Sequence, residues 1–229
     1  MSKSNCSHPM SLRNNVKKTL QRECVIPVDS KIILGVSGGP DSMALLNVMA
    51  GLQEELHFKL YAVGIDHQLR DESEQEINVA KTYSEYLNVP FQSIKVMVDG
   101  RNIQESARKE RYRAFLKCKN DYNADFIATA HHADDLAETV LMRIIKGTYV
   151  ASQPCMNPHY GDILRPMLRA SKRDVCLHIK RKNIPYSIDP SNENRKYLRT
   201  KVRYDIMPKL KEINPNVLNA LCKLSDDCI

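Results

Sequence analysis

No stretch of this 229-residue chain approaches the ~18 consecutive apolar residues that a membrane-spanning helix needs. Its first thirty residues hold no continuous apolar core, so a secretory signal is not expected either. The seven cysteines are scattered, without a Cys-x-x-Cys pair or Cys/His ligand spacing. That argues against a disulfide framework and structural zinc, and for reduced thiols in a cytoplasmic compartment. There is no internal repeat and no low-complexity tract. No Gly-Lys-Ser/Thr follows the one glycine-rich turn, which excludes a Walker-type phosphate loop.

What is present is an ordinary globular composition, 42% hydrophobic and 27% charged, enough for one good core or a core with a small appendage. The net charge of +7 is uneven. Residues 1–164 carry 19 lysines and arginines against 20 acids, whereas residues 165–229 carry 15 against 7. A basic C-terminal segment beside a neutral body suggests a polyanion partner, most simply nucleic acid. A solvated helical surface is the plainer explanation, and charge alone does not decide between them. Ser11 to Cys24 is basic and acid-poor. Residues 1–24 would suit an organellar presequence, but a first amphipathic helix with Leu12, Val16 and Leu20 on one stripe is preferred.

Strand-like and helix-like segments alternate along the next 120 or so residues. Lys31–Val36 predicts a buried strand, Asp41–Leu52 a helix, 59–66 a strand, 72–88 a helix and 91–98 a strand with Ile94, Val96 and Val98 alternating. A charged helix over 103–122 offers Ala107, Tyr112, Phe115 and Leu116 for burial. A strand over 124–130 and a helix over 134–147, stopped by Gly147, complete the series. Strands separated by long helices imply parallel pairing. The expected fold is therefore α/β, a doubly wound and mostly parallel sheet with a small helical C-terminal subdomain. Its ligand is expected beyond the carboxyl ends of the strands. From about residue 151 the chain reads as a proline-containing loop with at most a short strand. A helix over 171–183 opens on Ser171 and Asp174 at capping-box spacing, and 195–212 reads as helical on either side of a break at Pro208. The expected organisation is an N-terminal helix over 1–30, the α/β domain over 31–150, and a linker with a basic helical subdomain over 151–229.

Ser37, Gly38, Gly39, Pro40, Asp41 and Ser42 join the first strand to the first long helix. Such a turn aims backbone N–H groups at a helix N-terminus, and glycines let an anion approach without a Cβ in the way. Ser37 and Ser42 add hydroxyls, and Pro40 suits an early helical position. Asp41 would repel a phosphate unless a cation lies between them; otherwise it caps the helix or orders the loop.

Ser-Gly-Gly-Pro-Asp-Ser directly after a buried strand resembles the PP-loop of the N-type ATP pyrophosphatases, which cleave ATP between the α and β phosphates. Further motifs follow in order: "GIDHQLRDES" at 64–73, "ESARKERYRAF" at 105–115, "TAHHADDLAET" at 129–139, "RPMLRASKRDV" at 165–175 and "DPSNENRKYLRTKVRYDIMPKL" at 189–210. The set resembles the tRNA(Ile)-lysidine synthetase family, from about Ile32 to Leu210. It departs at "KGTY", Lys146–Tyr149, where the family has Arg-Gly-Thr-Gly, and at "RTKVR", which keeps Arg199 and Arg203 of the family's Arg-Asn-x-Ile-Arg. The chain stops at Ile229, as the shortest members or a truncated one would.

The resemblance implies a ligase that joins free L-lysine to the wobble cytidine of a tRNA(Ile) CAU anticodon, using ATP and Mg²⁺ and releasing AMP and pyrophosphate. A homodimer is among the assemblies left open. Asp66 and His67 would lie near the nucleotide with the loop, and His131 and His132 would bond phosphate or substrate. Asp134, Asp135 and Asp41 are the candidate metal ligands. Asp41, Asp135, Arg108 and Glu138 are the candidate catalytic residues, Glu138 as acceptor of the lysine ammonium. Arg165, Arg169, Arg173, Arg199 and Arg203 would grip RNA, and Tyr197 would stack on an unpaired base or lie in the core. Two alternatives remain: another tRNA modifier with the same loop, such as a thiolase, and a non-catalytic nucleotide-binding RNA-binding protein.

Overall fold

Ile32, Ile33 and Leu34 are wholly buried at the centre of a six-stranded sheet, covered on both faces as their unbroken apolar run requires. The computed structural model describes residues 11–66, 73–96, 103–148, 155–188 and 197–227. Helix α1, Leu12–Thr19, starts at Ser11, whose hydroxyl accepts the Asn14 N–H, and winds into a π turn at Leu20–Cys24. Then follow β1 (Ser30–Gly35), α2 (Pro40–Ala50), α3 (Gln53–Leu56), β2 (Phe58–Asp66), α4 (Ser73–Tyr86) and β3 (Phe91–Lys95). Next come α5 (Ile103–Asp121), β4 (Phe126–Ala128), α6 (Ala133–Ile145), β5 (His159–Tyr160), β6 (Ile163–Leu164) and α7 (Lys172–Lys182). The last helices are α8 (Leu198–Lys201), α9 (Met207–Ile213) and α10 (Val217–Asp226).

The strand order is β3-β2-β1-β4-β6-β5. All pairings are parallel except β5 with β6. The chain therefore winds outward in one direction from β1 to β3, then returns to place β4 on the other side of β1. That reversal opens a crevice at the carboxyl ends of β1 and β4, where open α/β sheets take ligands. One face of β1 packs Ile32 and Leu34 against α1, α2 and α7; the other packs Ile33 with Phe115 and Cys118 of α5. A third cluster joins α6 to α8–α10 through Leu136, Val140, Val202, Met207 and Leu221.

Several sequence expectations are corrected. Leu116 is 47% exposed, because the inward stripe of α5 runs through Ala107, Ala114, Phe115 and Cys118 instead. The stretch read as a loop around 151–166 carries a two-strand hairpin that extends the sheet, and its Leu164, with Met167, Ala170, Val175 and Ile179 after it, joins the main core. Pro208 does not break its helix. A π turn at Val202–Ile206 precedes it, with the Met207 N–H donating to the Val202 carbonyl five residues back. The shifted ladder restarts a helix in which Pro208 occupies the first turn, where a missing N–H costs nothing. Leu12, Val16 and Leu20 are buried on one stripe as the periodicity predicts. His67, Val98 and Tyr149 lie outside the described residues.

Candidate active site

The turn from Ser37 to Ser42 leaves β1 at the crevice. Gly38 takes φ +78°, and a Cβ there would meet the Glu76 carbonyl oxygen of α4 at 2.4 Å, so the turn closes only with glycine. Gly39 precedes the first turn of α2 with Pro40 just inside. The Ser42 hydroxyl donates to the Gly39 carbonyl (2.9 Å) and accepts the Ser37 N–H (3.1 Å). These two bonds hold the turn closed. The first-turn N–H groups of α2, including those of Asp41 and Ser42, have no intrahelical acceptor and mark the positive helix end.

Asp41 stands at that end between Lys172 and His132. Its carboxylate accepts from the Lys172 ammonium and lies 3.7 Å from His132 Nε2. Burial pushes its pKa up, but His132 and Lys172 outweigh burial and bring it down to about 2. His132 is buried and opens α6 through a reciprocal cap: its N–H donates to Asp135 Oδ2 at 3.0 Å while its ring accepts the Asp135 N–H at 3.4 Å. Burial lowers the His132 pKa, yet Asp41 and Asp135 more than reverse that and raise it. Its neighbour behaves oppositely. His131, bonded to the Thr129 hydroxyl at 2.9 Å, falls to about 4, first through burial and then through Arg165, Arg199 and Arg108, against the pull of Asp135. Adjacent histidines are thereby shifted in opposite directions.

Deeper along α6 lies a four-residue ion cluster. Arg199 donates to Asp135 (3.0 Å) and Glu138 (3.0 Å), and Arg203 to Glu138 (2.6 and 2.9 Å) and Asp135 (3.1 Å). Asp135 and Glu138 sit one turn apart on α6, and Arg199 and Arg203 one turn apart on the facing helix, so the charges interlock. Glu138 is 2% exposed with both oxygens accepting from arginine. Glu138, expected to receive an ammonium, is thus engaged by the two arginines expected at RNA, Arg199 and Arg203. Arg169 is also corrected: it bonds Glu23 and Asp226, tying the π turn after α1 to α10. Arg173 is exposed, and Tyr197, 41% exposed at the start of α8, is surface rather than core.

A separate basic wall faces His131. Arg108 lies over the Tyr112 ring, 5.6 Å from its centroid, and Arg165 hydrogen-bonds Tyr112 and the Asn157 carbonyl while its buried Nε has no partner. Asp66 is buried at the end of β2.

The carboxylates predicted to hold a metal do not act as one set. Asp134 accepts the Lys172 N–H (2.8 Å) and the Lys211 ammonium (3.0 Å), so both its oxygens are engaged. Among the described residues no three acidic, histidine or cysteine side chains gather as a metal cage. Mg²⁺ needs only one or two carboxylates when phosphate oxygens supply the rest. Asp41, ionised and 3.7 Å from His132 Nε2, fits that smaller role; both oxygens of Asp135 are engaged by the His132 N–H, Arg199 and Arg203. Lys172 and Lys211 were missed by the sequence reading. Lys172 lies 131 positions from Asp41, and no local pattern links them.

The two histidines give a pH prediction. A neutral buried His131 stabilises the fold above its unfolded pKa of ~6.5 and loses that contribution as pH falls toward its folded pKa. By pH 5 the loss is about 2 kcal/mol. His178, also lowered by burial and by Lys182 and Arg181, acts in the same direction. His132 contributes fully below ~6.5 and fades as pH rises through its raised value. Melting temperature is expected to peak near pH 6.5, and His131→Asn to flatten the acid side. A profile that rises steadily from pH 5 to 8, or an unchanged acid limb in the variant, would contradict these assignments.

Comparison with known proteins is consistent with this site. A family model described as a PP-loop domain, of an ATP-binding type, matches residues 10–210. The tRNA(Ile)-lysidine synthase of Thermosipho africanus is 36% identical over 197 residues, covering 83% of this chain and 46% of the relative. That of Pseudothermotoga lettingae is 33% identical over 216 residues, covering 92% and 48%. The chain spans about half the length of the curated relatives it matches. Among solved structures, the U34-tRNA thiolase NcsA from Methanococcus maripaludis superposes with a TM-score of 0.81 at 19% identity, covering 94% of this chain and 76% of that one. NMN synthetase from Francisella tularensis gives 0.55 at 14%, covering 95% and 93%. At such identities these two bear on the fold alone.

Proposed function

The chain belongs to the PP-loop domain family, and from that premise we propose that it ligates lysine to the wobble cytidine of a tRNA(Ile) CAU anticodon, converting ATP to AMP and pyrophosphate. The observation that carries the reading is the Ser37–Ser42 turn at the sheet's reversal point, with an ionised Asp41 at the helix end. The named function of the relatives adds support.

In this reading the cytidine carbonyl oxygen attacks the α-phosphate of ATP, and pyrophosphate leaves against the turn. The lysine amine, its ammonium proton given up to water, then attacks the adenylated ring carbon; the carbon–oxygen bond breaks and AMP departs. The protein positions the reactants and stabilises developing charge. The N-terminal amides of α2 receive the departing phosphates. Arg108 and Arg165 supply positive charge near His131, whose lowered pKa leaves it neutral. Asp41, with phosphate oxygens, would hold Mg²⁺, which when bound offsets phosphate charge. Glu138 is the carboxylate for the lysine ammonium, which must displace an arginine contact to reach it. Arg173 is the exposed arginine offered to RNA phosphate; the target base comes out of its stack to reach the crevice.

Two of the described cysteines give a thiolase reading no support. Burial, first among the causes, raises Cys24 to about 12 and Cys222 to about 11, the reverse of an activated sulfur nucleophile.

The test is to incubate the chain with ATP, labelled lysine and tRNA carrying the unmodified cytidine. Label entering the tRNA with matching AMP is the expected outcome. AMP formation without lysine transfer would remove the ligase assignment.

A further inference from the structure

The loop Ser37–Ser42 has no lysine of its own, yet a lysine reaches it from elsewhere in the chain. Lys172 is the first residue of α7, following Ser171, whose reciprocal cap with Asp174 fixes where the helix begins. Its backbone N–H is held by Asp134 Oδ2 at 2.8 Å, and its ammonium contacts Asp41. The rest of α7 is anchored. Val175 and Ile179 are buried in the main core, and His178 bonds Asn47 of α2 at 2.9 Å. Just beyond α7, the Ser187 N–H donates to the Gly38 carbonyl at 2.9 Å. The α7 segment therefore grips the loop at two independent points, Asp41 and Gly38. The ammonium is carried on a fixed helix rather than a mobile arm.

We propose that Lys172 is the phosphate-binding cation of this loop, exchanging its contact with Asp41 for the β and γ phosphates of ATP. The inference rests on the ATP reading above. The exchange is inexpensive on physical grounds. The side chains are 39% and 33% exposed, and ion pairs that open to water contribute little. Phosphate oxygens offer a lysine stronger, charge-assisted bonds than a single partly solvated carboxylate. Asp41, once released, is free to accept a cation from the other side, which settles why a carboxylate stands where an anion must bind. The lysine that Walker loops carry within their own motif is here supplied by a helix 131 positions further along the chain.

Calorimetric titration of the full chain with three probes, ATP, inorganic pyrophosphate and AMP, tests this. Lys172→Met is expected to weaken ATP and pyrophosphate binding at least tenfold and to leave AMP binding within twofold. Lys172→Arg is expected to stay within about threefold of wild type for all three probes, which also guards against a folding defect in the first variant. Pyrophosphate affinity unchanged in Lys172→Met overturns the assignment, as does an equal loss of AMP binding, the mark of a merely structural residue. A wild-type chain that binds none of the probes overturns the ATP reading and this assignment with it. Wild-type binding that survives the substitution overturns the assignment alone.

Discussion

Asp41→Asn is expected to lower lysine-dependent AMP release by a hundredfold or more while the protein stays folded. The carboxylate is held at about pH 2 by His132 and Lys172, so it is fully ionised under any assay condition, and the amide removes that charge without changing volume. In this reading Asp41 acts through the cation it holds against the phosphates, and losing one such preorganised electrostatic group typically costs 10²–10³ in rate. The structural cost is small by comparison. A pair this exposed contributes under about 1 kcal/mol, a change of roughly 2–4 °C in melting temperature for a chain of this size. Activity within fivefold of wild type would remove Asp41 from the chemistry. Asp135 is a poorer probe, because it caps α6 and anchors Arg199 and Arg203. An Asp135→Ala variant loses fold and function together.

Gly38→Ala is expected to damage both the fold and nucleotide binding. Its φ of +78° is unfavourable for any residue with a Cβ, and that Cβ would stand 2.4 Å from the Glu76 carbonyl oxygen and 3.0 Å from its carbon. Both obstacles are backbone, so α4 or the turn must move. A forced left-handed residue plus that displacement costs on the order of 2–3 kcal/mol, a melting temperature lower by roughly 5–10 °C. ATP affinity should fall at least tenfold as the turn opens. Gly39→Ala separates the two effects. Gly39 has an ordinary negative φ, and its nearest neighbour is the Ser37 hydroxyl at 3.4 Å. The fold should therefore hold its melting temperature within about 2 °C, while the new methyl obstructs the anion. Scanning calorimetry on both variants, with an ATP titration of each, checks this. A wild-type melting temperature for Gly38→Ala would contradict the geometry of the turn.

The sheet was legible because its signals are local. Unbroken apolar runs such as Ile32–Leu34 report burial on both faces, and Ser37–Ser42 announces its turn within six residues. The cap at Ser171 and Asp174 was equally readable, since both partners lie within one helical turn. What the sequence hid is long-range pairing. Arg199 and Arg203 look like solvent-facing cations until Asp135 and Glu138, more than sixty positions away, are seen to face them. Arg169 appears free until Glu23 and Asp226 are placed beside it. Lys172 could be linked to Asp41 only by the fold that brings α7 across α2. The π turn before Pro208 was hidden for another reason: proline forbids a continued α ladder but does not say whether the chain breaks or shifts register.

The central claim is that the amides of the Ser37–Ser42 turn, backed by cations from other elements, receive the departing diphosphate. A crystal structure with a non-hydrolysable ATP analogue tests it most directly. The expected density puts the β and γ phosphates against Gly38, Gly39 and the first turn of α2, with Lys172 moved from Asp41 onto a phosphate oxygen. A triphosphate bound elsewhere, with the Lys172–Asp41 contact intact, would contradict the claim.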